Sequence, residues 1–310
     1  MRPLIQEITT ALTPESLVEN LRGLTGLTLL RTSTFDSPSA RYSFIAANPF
    51  LTFRAFGSRC EISFPQTPDA RPQLQFGNPW HLLDALMSRF ELLDEIDLPF
   101  PLGGCFGFWG YDLKNFTEPK LPRRAVNDLE LPDCHVGFHD SLVIFDHRLG
   151  KICIVSTGLD ADGSRSEARA KAQLDFWSSI IIAKELPTGH RDAEDENKTN
   201  SPRLRAPAAG IVSNFSRADF LAAIERAQRY IRAGDIYQVN LSQRLTAKLP
   251  QWGEATDEPA HSCTLSARED ARPTELSGWE LYQRLSDVSP APFSAFFDFG
   301  DFQTASSSPE

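Results

Sequence analysis

Between Ala233 and Arg244 the chain reads A-G-D-I-Y-Q-V-N-L-S-Q-R, and alternate residues there carry opposite chemistry. In an extended conformation Tyr237, Val239, Leu241 and Leu245 face one way, and Gln238, Asn240, Ser242 and Arg244 the other, because side chains alternate along a strand. Three neutral hydrogen-bonding groups in line with a guanidinium would suit a polar, anionic ligand. By periodicity alone the row reads first as a solvated strand face.

Other chemistry-bearing residues are scattered. The five cysteines, Cys60, Cys105, Cys134, Cys153 and Cys263, are odd in number, and no pair has metal-ligand spacing. Cys60, Cys105 and Cys153 sit in apolar runs and read as buried thiols. His135 and His139 are four apart, but the surrounding V-G-F and S-L-V-I-F pattern indicates strand and turn, not a helix presenting both rings to a metal. The glycine-aromatic stretch Gly103–Leu113, G-G-C-F-G-F-W-G-Y-D-L, lacks G-x-G-x-x-G and any following Lys-Ser/Thr. Its glycines suit a strand approached closely by another backbone or a ligand, and the stretch is expected to be buried beside the second domain.

The elements that must position these residues can be traced along the chain. Thr13-Pro14 reads as an N-cap and first helical position, opening a helix through Leu21. Leu27–Leu30 and Arg41–Ala47 read as strands flanking a loop, and Leu51–Phe56 with Cys60–Phe64 as a hairpin. Asn78-Pro79 opens a helix with Leu82, Leu83, Leu86, Phe90 and Leu93 on one face. A hairpin over Leu142–Phe145 and Ile152–Val155 precedes a helix from about Ser164 to Ala183. Residues 186–212 are polar and charged, the composition of a linker. Ser216 then caps a helix with a Phe215–Phe220 staple, a stripe of Phe220, Ile224, Ala227 and Ile231, and a Gly234 stop. A strand is expected over Ile236–Thr246, a polar insertion at about 250–278, a helix at Trp279–Leu285, and a closing hairpin of Phe293–Phe299 with Phe302–Ser307.

The bulk numbers bound the class. With 310 residues, 41% hydrophobic and 23% charged, the chain has material for one large or two ordinary domains. A net charge of −10 argues against nucleic acid as a partner. No stretch approaches the roughly 18 apolar residues of a membrane helix, and Met1–Thr10 lacks the apolar run of a signal peptide, so a cytoplasmic protein is expected.

Three segments in order carry a family resemblance: D-I-Y-Q-V-N-L-S-Q-R, the Gly103–Leu113 strand, and Ala291–Glu310, A-P-F-S-A-F-F-D-F-G-D-F-Q-T-A-S-S-S-P-E. Together they resemble the chorismate-utilising enzymes, in particular component I of aminodeoxychorismate synthase; the last looks like the hairpin closing on S-x-S-P-E-R-F. Anthranilate synthase component I usually has Val where Asn240 stands. Its L-L-E-S motif is also replaced here, Leu29-Leu30 being followed by Arg31-Thr32. The resemblance implies an α+β fold of the anthranilate synthase component I type, with two packed, mainly antiparallel sheets, peripheral helices and an incomplete second half. It divides the chain into an N-terminal domain over 1–185, a linker over 186–212 and the beginning of a chorismate-binding domain over 213–310.

The implied reaction converts chorismate, with ammonia from a separate glutamine amidotransferase subunit, to 4-amino-4-deoxychorismate for para-aminobenzoate and folate. The alternatives are anthranilate synthase component I, and a non-catalytic module that binds a ligand or partner. Glu310 matches the family's catalytic glutamate. The P-I-K-G-T lysine and the carboxylates for Mg²⁺ are expected beyond residue 310, so the 310 residues alone are expected to be inactive. The resemblance also implies a structural L-tryptophan pocket, with Thr32, Ser39, Ala40, Arg41 and Tyr42 matching one half and Pro292, Phe293 and Ser294 the other. In that reading Arg41 pairs with the ligand carboxylate while Tyr42 and Phe293 flank the indole. Without a ligand, the same residues read as loop and interdomain packing.

Overall fold

The computed structural model describes residues 2–32, 40–67, 71–92, 97–123, 127–182, 210–247 and 277–308. They fall into two compact units, Met1–His190 with Ser277–Glu310, and Arg191–Leu276. Ser277–Glu310 therefore belongs with the N-terminal part of the chain, not with a domain beginning at 213. Backbone pairing is the reason: strand β13 (Phe293–Asp298) hydrogen-bonds along β2 (Thr28–Arg31), with Ser294 opposite Arg31 and Phe296 opposite Leu29.

The first unit contains two antiparallel sheets. Seven strands run in the order β1 (Leu4–Ile8), β10 (Lys151–Ser156), β9 (Ser141–Asp146), β3 (Tyr42–Ala46), β2, β13 and β14 (Gln303–Ser308). Five run in the order β6 (Gln73–Phe76), β5 (Arg59–Ser63), β4 (Leu51–Phe56), β8 (Cys134–His139) and β7 (Gly104–Trp109). The expected two-sheet α+β architecture is therefore present.

Period-2 alternation assigns the faces of the seven-stranded sheet. Leu29, Ile45, Val143, Ile154 and Phe296 face the helices α1 (Pro14–Leu21), α4 (Glu167–Ile182) and α6 (Gly278–Val288), where Leu17, Trp177, Trp279 and Tyr282 complete a core. Ala46, Leu142, Ile144 and Val155 point the other way, with Phe44 and with Phe106 from the five-stranded sheet. That sheet buries Phe53, Ala55, Ile62 and Val136 against Leu83, Leu86 and Phe90 of α2 (Pro79–Arg89) and the residue after it. Both faces of β9 are covered, and all six of its residues are buried.

Local chemistry sets the helix starts. Thr13 Oγ1 accepts the Ser16 amide at 3.2 Å, and Ser16 Oγ accepts the Thr13 amide at 2.8 Å, a reciprocal cap. Ser277 and Glu280 repeat it on α6. Gly103–Leu113 does contain a strand, β7, but as a half-buried edge and not a buried strand. Glycine is required within it: Gly107 has φ of +153°, and a Cβ there would stand 2.1 Å from the His135 carbonyl oxygen. A four-residue helix, α3 (Lys114–Thr117), follows it.

In the second unit, α5 (Arg217–Ala233) starts at Ser216, whose Oγ accepts the Asp219 amide, and stops at left-handed Gly234. The Phe215–Phe220 staple forms, with ring centroids 5.8 Å apart. The Phe220–Ile231 stripe is not fully buried; Ile231 is exposed. The strand expected over Ile236–Thr246 is reduced to β12 (Leu245–Thr246), paired with β11 (Val212–Ser213). A strand needs a neighbour for its amides and carbonyls, and the described neighbour is only two residues long. Asn214 extends the contact slightly, exchanging hydrogen bonds with the Arg244 backbone. Most of the expected linker and insertion lies outside the described residues.

Candidate functional site

The residues matched to a ligand pocket are separated by some 250 positions, yet the sheet brings most of them together. Leu30 is opposite Phe44 on one side and Ala295 on the other, and Ala295 is opposite Ser306. Side chains two residues along share the same face, which adds Tyr42, Thr32, Phe293 and Ser308 as a second row. These eight residues, with Arg31, Pro292 and Ser294, line a cavity of about 360 Å³, within the ~300–1,000 Å³ usual for small-molecule sites.

The cavity is built as a slot. Two inter-strand steps of roughly 4.8 Å place the Tyr42 and Phe293 backbones about 10 Å apart, with Thr32 between them. A flat ring between the two aromatics would stand roughly 5 Å from each, where aromatic pairs attract. The Tyr42 ring is held from behind by Phe100, edge-on at 5.8 Å. Phe293 is 47% exposed and forms the open wall. Behind the strands, Ser294 Oγ donates to the Arg31 carbonyl at 3.1 Å and lies 3.0 Å from the hydroxyl of buried Tyr282, locking β13 to β2.

Thr32 is 3% exposed. Its amide donates to Ser43 Oγ at 3.3 Å, while its own hydroxyl oxygen is buried without a hydrogen-bond partner. An unsatisfied buried hydroxyl costs about 1–3 kcal/mol. A ligand bonding to it would recover that cost.

Arg41 is placed differently from the expectation. It does not line the cavity; its guanidinium grips Asp146, with Nη2–Oδ2 at 2.7 Å and Nε–Oδ2 at 3.1 Å, and lies 4.7 Å from the Tyr42 ring centre. The Asp146 hydrogen bond raises the Arg41 pKa. Burial pushes the Asp146 carboxyl up, but the Arg41 hydrogen bond and the Leu149 and Arg148 amides hold it below its ordinary value. Burial, then the Asp146 charge, raises the Tyr42 phenol. Ala40 is buried beside them, and Ser39 lies outside the described residues.

The polar row of the second unit is exposed: Gln238, Asn240, Ser242 and Arg244 lie on the surface of the irregular segment before β12, as do Tyr237 and Val239. Glu310 lies outside the described residues. Among the described residues no three His, Cys, Asp or Glu side chains converge on one point. The histidines on β8 serve separately: His135 stacks on Phe299 at 4.2 Å, and His139 Nδ1 lies 3.4 Å from the Ala47 carbonyl.

Several lining residues went unread in the sequence. Leu30 and Phe44 follow from Thr32 and Tyr42 by the two-residue period, and Ser306 and Ser308 follow from the β14 alternation once its partner is known. Asp146 had a local signal, since it caps the D-H-R-L turn by accepting the Arg148 and Leu149 amides at 3.1 Å. Nothing local pairs it with Arg41.

The chain is similar in sequence and fold to known proteins. The chain is 28% identical over 304 residues to anthranilate synthase component 1 of Acetivibrio thermocellus, covering 96% of this chain and 53% of the relative. It is 31% identical over 215 residues to that of Thermus thermophilus, covering 69% and 37%. The chain thus spans about half the length of the curated relatives it matches. Anthranilate synthase component I from Streptococcus pneumoniae shares the fold, with a TM-score of 0.55 and 23% identity over 96% of this chain and 56% of that one. The family model for chorismate binding enzymes matches residues 31–310, and the chain belongs to that family.

Proposed function

We propose that this chain forms about half of a component I enzyme that aminates chorismate, using ammonia from a glutamine amidotransferase partner. The observation that carries the reading is the family match from Arg31 to Glu310; it is supported by strands β3, β2, β13 and β14 being neighbours in one antiparallel sheet. The relatives are named anthranilate synthase component 1, which favours anthranilate as the product.

A second reading, aminodeoxychorismate synthase component I, is favoured by Asn240 and by Arg31-Thr32 after Leu29-Leu30. In either reading the slot between Tyr42 and Phe293 takes L-tryptophan, with the indole between the rings and Thr32 Oγ1 as a polar contact. Mg²⁺, when bound, would neutralise the chorismate carboxylates and ease departure of the C4 hydroxyl; its ligands are expected beyond residue 310. No helix among the described residues is long and apolar enough to cross a membrane, and we place the protein in the cytoplasm.

The test supplies chorismate, glutamine, Mg²⁺ and the amidotransferase to the complete gene product. Fluorescent anthranilate supports the first reading, and 4-amino-4-deoxychorismate, trapped by its lyase as para-aminobenzoate, supports the second. Failure to consume chorismate refutes both.

A further inference from the structure

A larger cavity, of about 540 Å³, lies in the first unit beyond the Phe100 ring that backs Tyr42. Its walls come from the end of α2, the segment entering β7, and the end of β8. Phe50, Phe90, Phe100, Phe138 and Leu102 make it largely apolar. One cationic side chain, that of half-buried Arg165, is part of this lining. Arg165 Nη2 donates to the Phe90 and Glu91 carbonyls at 3.5 and 3.1 Å and thereby caps the end of α2. Its Nη1 is buried with no hydrogen-bond partner.

The other titratable groups in the described lining leave that charge uncompensated inside. Glu91 is solvent-exposed. Burial pushes the Cys105 thiol up to about 12 and the His139 imidazole down to about 4, so both are neutral near pH 7. A guanidinium nitrogen buried without an acceptor is costly, and a carboxylate satisfies it best because the hydrogen bond is then charge-assisted.

From the aromatic walls and the orphaned Arg165 Nη1, we propose that this cavity is a second ligand site, for a small apolar monocarboxylate whose carboxylate meets Arg165 while its hydrocarbon body lies among the phenylalanines. The volume admits a single ring with a short chain. The proposal rests on this cavity alone and stands whichever product the enzyme makes.

The test is calorimetric titration of the full chain at neutral pH with 3-phenylpropionate and with 3-phenylpropanol, which has the same body without the charge. The acid is expected to bind at least about tenfold more tightly than the alcohol, with saturating L-tryptophan leaving its affinity unchanged. Arg165→Gln should bring the acid down to the level of the alcohol. Ser88→Trp, at an exposed helical position lining the cavity, should weaken both ligands. Should Arg165→Gln fail to fold, the acid-to-alcohol ratio and Ser88→Trp decide the matter. No binding of the acid at millimolar concentration, equal affinity for acid and alcohol, competition with tryptophan, or full-strength binding to Ser88→Trp would each overturn the proposal.

Discussion

Thr32→Val separates the architectural cost of the slot between Tyr42 and Phe293 from its proposed use in binding tryptophan. Valine keeps the branched shape and the Thr32 amide bond to Ser43 Oγ but removes the buried hydroxyl that has no partner. An unsatisfied buried hydroxyl costs about 1–3 kcal/mol, so the ligand-free variant should be more stable by about 1 kcal/mol or more. In a unit of 150–250 residues that corresponds to a rise in Tm of roughly 2–4 °C. Tryptophan should act in the opposite sense. At a hundredfold excess over its dissociation constant it should stabilise wild type by about 2.7 kcal/mol by mass action. In the variant the gain at the same concentration should be smaller by about 1 kcal/mol, the worth of one hydrogen bond. Paired thermal melts of the complete gene product, with and without L-tryptophan, read both effects. A Thr32→Val protein that melts below wild type, or that shifts as much with tryptophan, would refute the reasoning.

Arg41→Ala should lower stability at neutral pH, because it strands the nearly buried Asp146 carboxylate. Asp146 titrates below its unfolded value, so its contribution is present above the ordinary carboxylate range and is lost as pH falls; the melting gap between wild type and variant should therefore close in acid, and a constant gap would contradict this. His135 and His139 are both held down to about 4 by burial, whereas an unfolded histidine titrates near 6.5. The unfolded chain thus binds more protons between those values, and stability should fall as pH drops from about 6.5 to 4, by roughly 3 kcal/mol for each ring at 1.36 kcal/mol per unit; flat urea midpoints across that window would be inconsistent with neutral buried rings. Gly107→Ala should cost about 2–4 kcal/mol, since the new methyl meets the His135 and Val136 backbone; a melt within about 1 °C of wild type would show that β7 can shift away.

Local sequence signals suffice where the physics is local. Thr13, Asn78 and Ser216 each cap a helix through their own side chains, and the β4–β5 and β9–β10 hairpins follow from short turns between alternating runs; Ser277, which caps α6 in the same way, falls instead within the expected polar insertion. Strand β6 escaped because all four of its residues are exposed and carry no burial pattern. The row Gln238 to Arg244 shows the converse: alternation marks a segment able to pair, but only a partner of matching length makes it a strand. In the slot, Thr32, Tyr42 and Phe293 were legible through family motifs. The Arg41–Asp146 pair was not, because nothing in one local window reveals a contact 105 residues away.

The contact between β2 and β13 also sets a schedule for synthesis. Ser294 meets Arg31 across 263 positions, and at about 5–20 residues per second a ribosome needs roughly 13–53 s to travel that distance. For that interval β2 has β3 on one side and an open hydrogen-bonding edge on the other, with Leu29 lacking the cover of Phe296. An unpaired apolar edge is a template for another nascent chain. Slow translation or crowded polysomes should therefore raise the aggregated fraction, and a circular permutant that places 277–308 ahead of β2 should lower it by delivering the missing strand first.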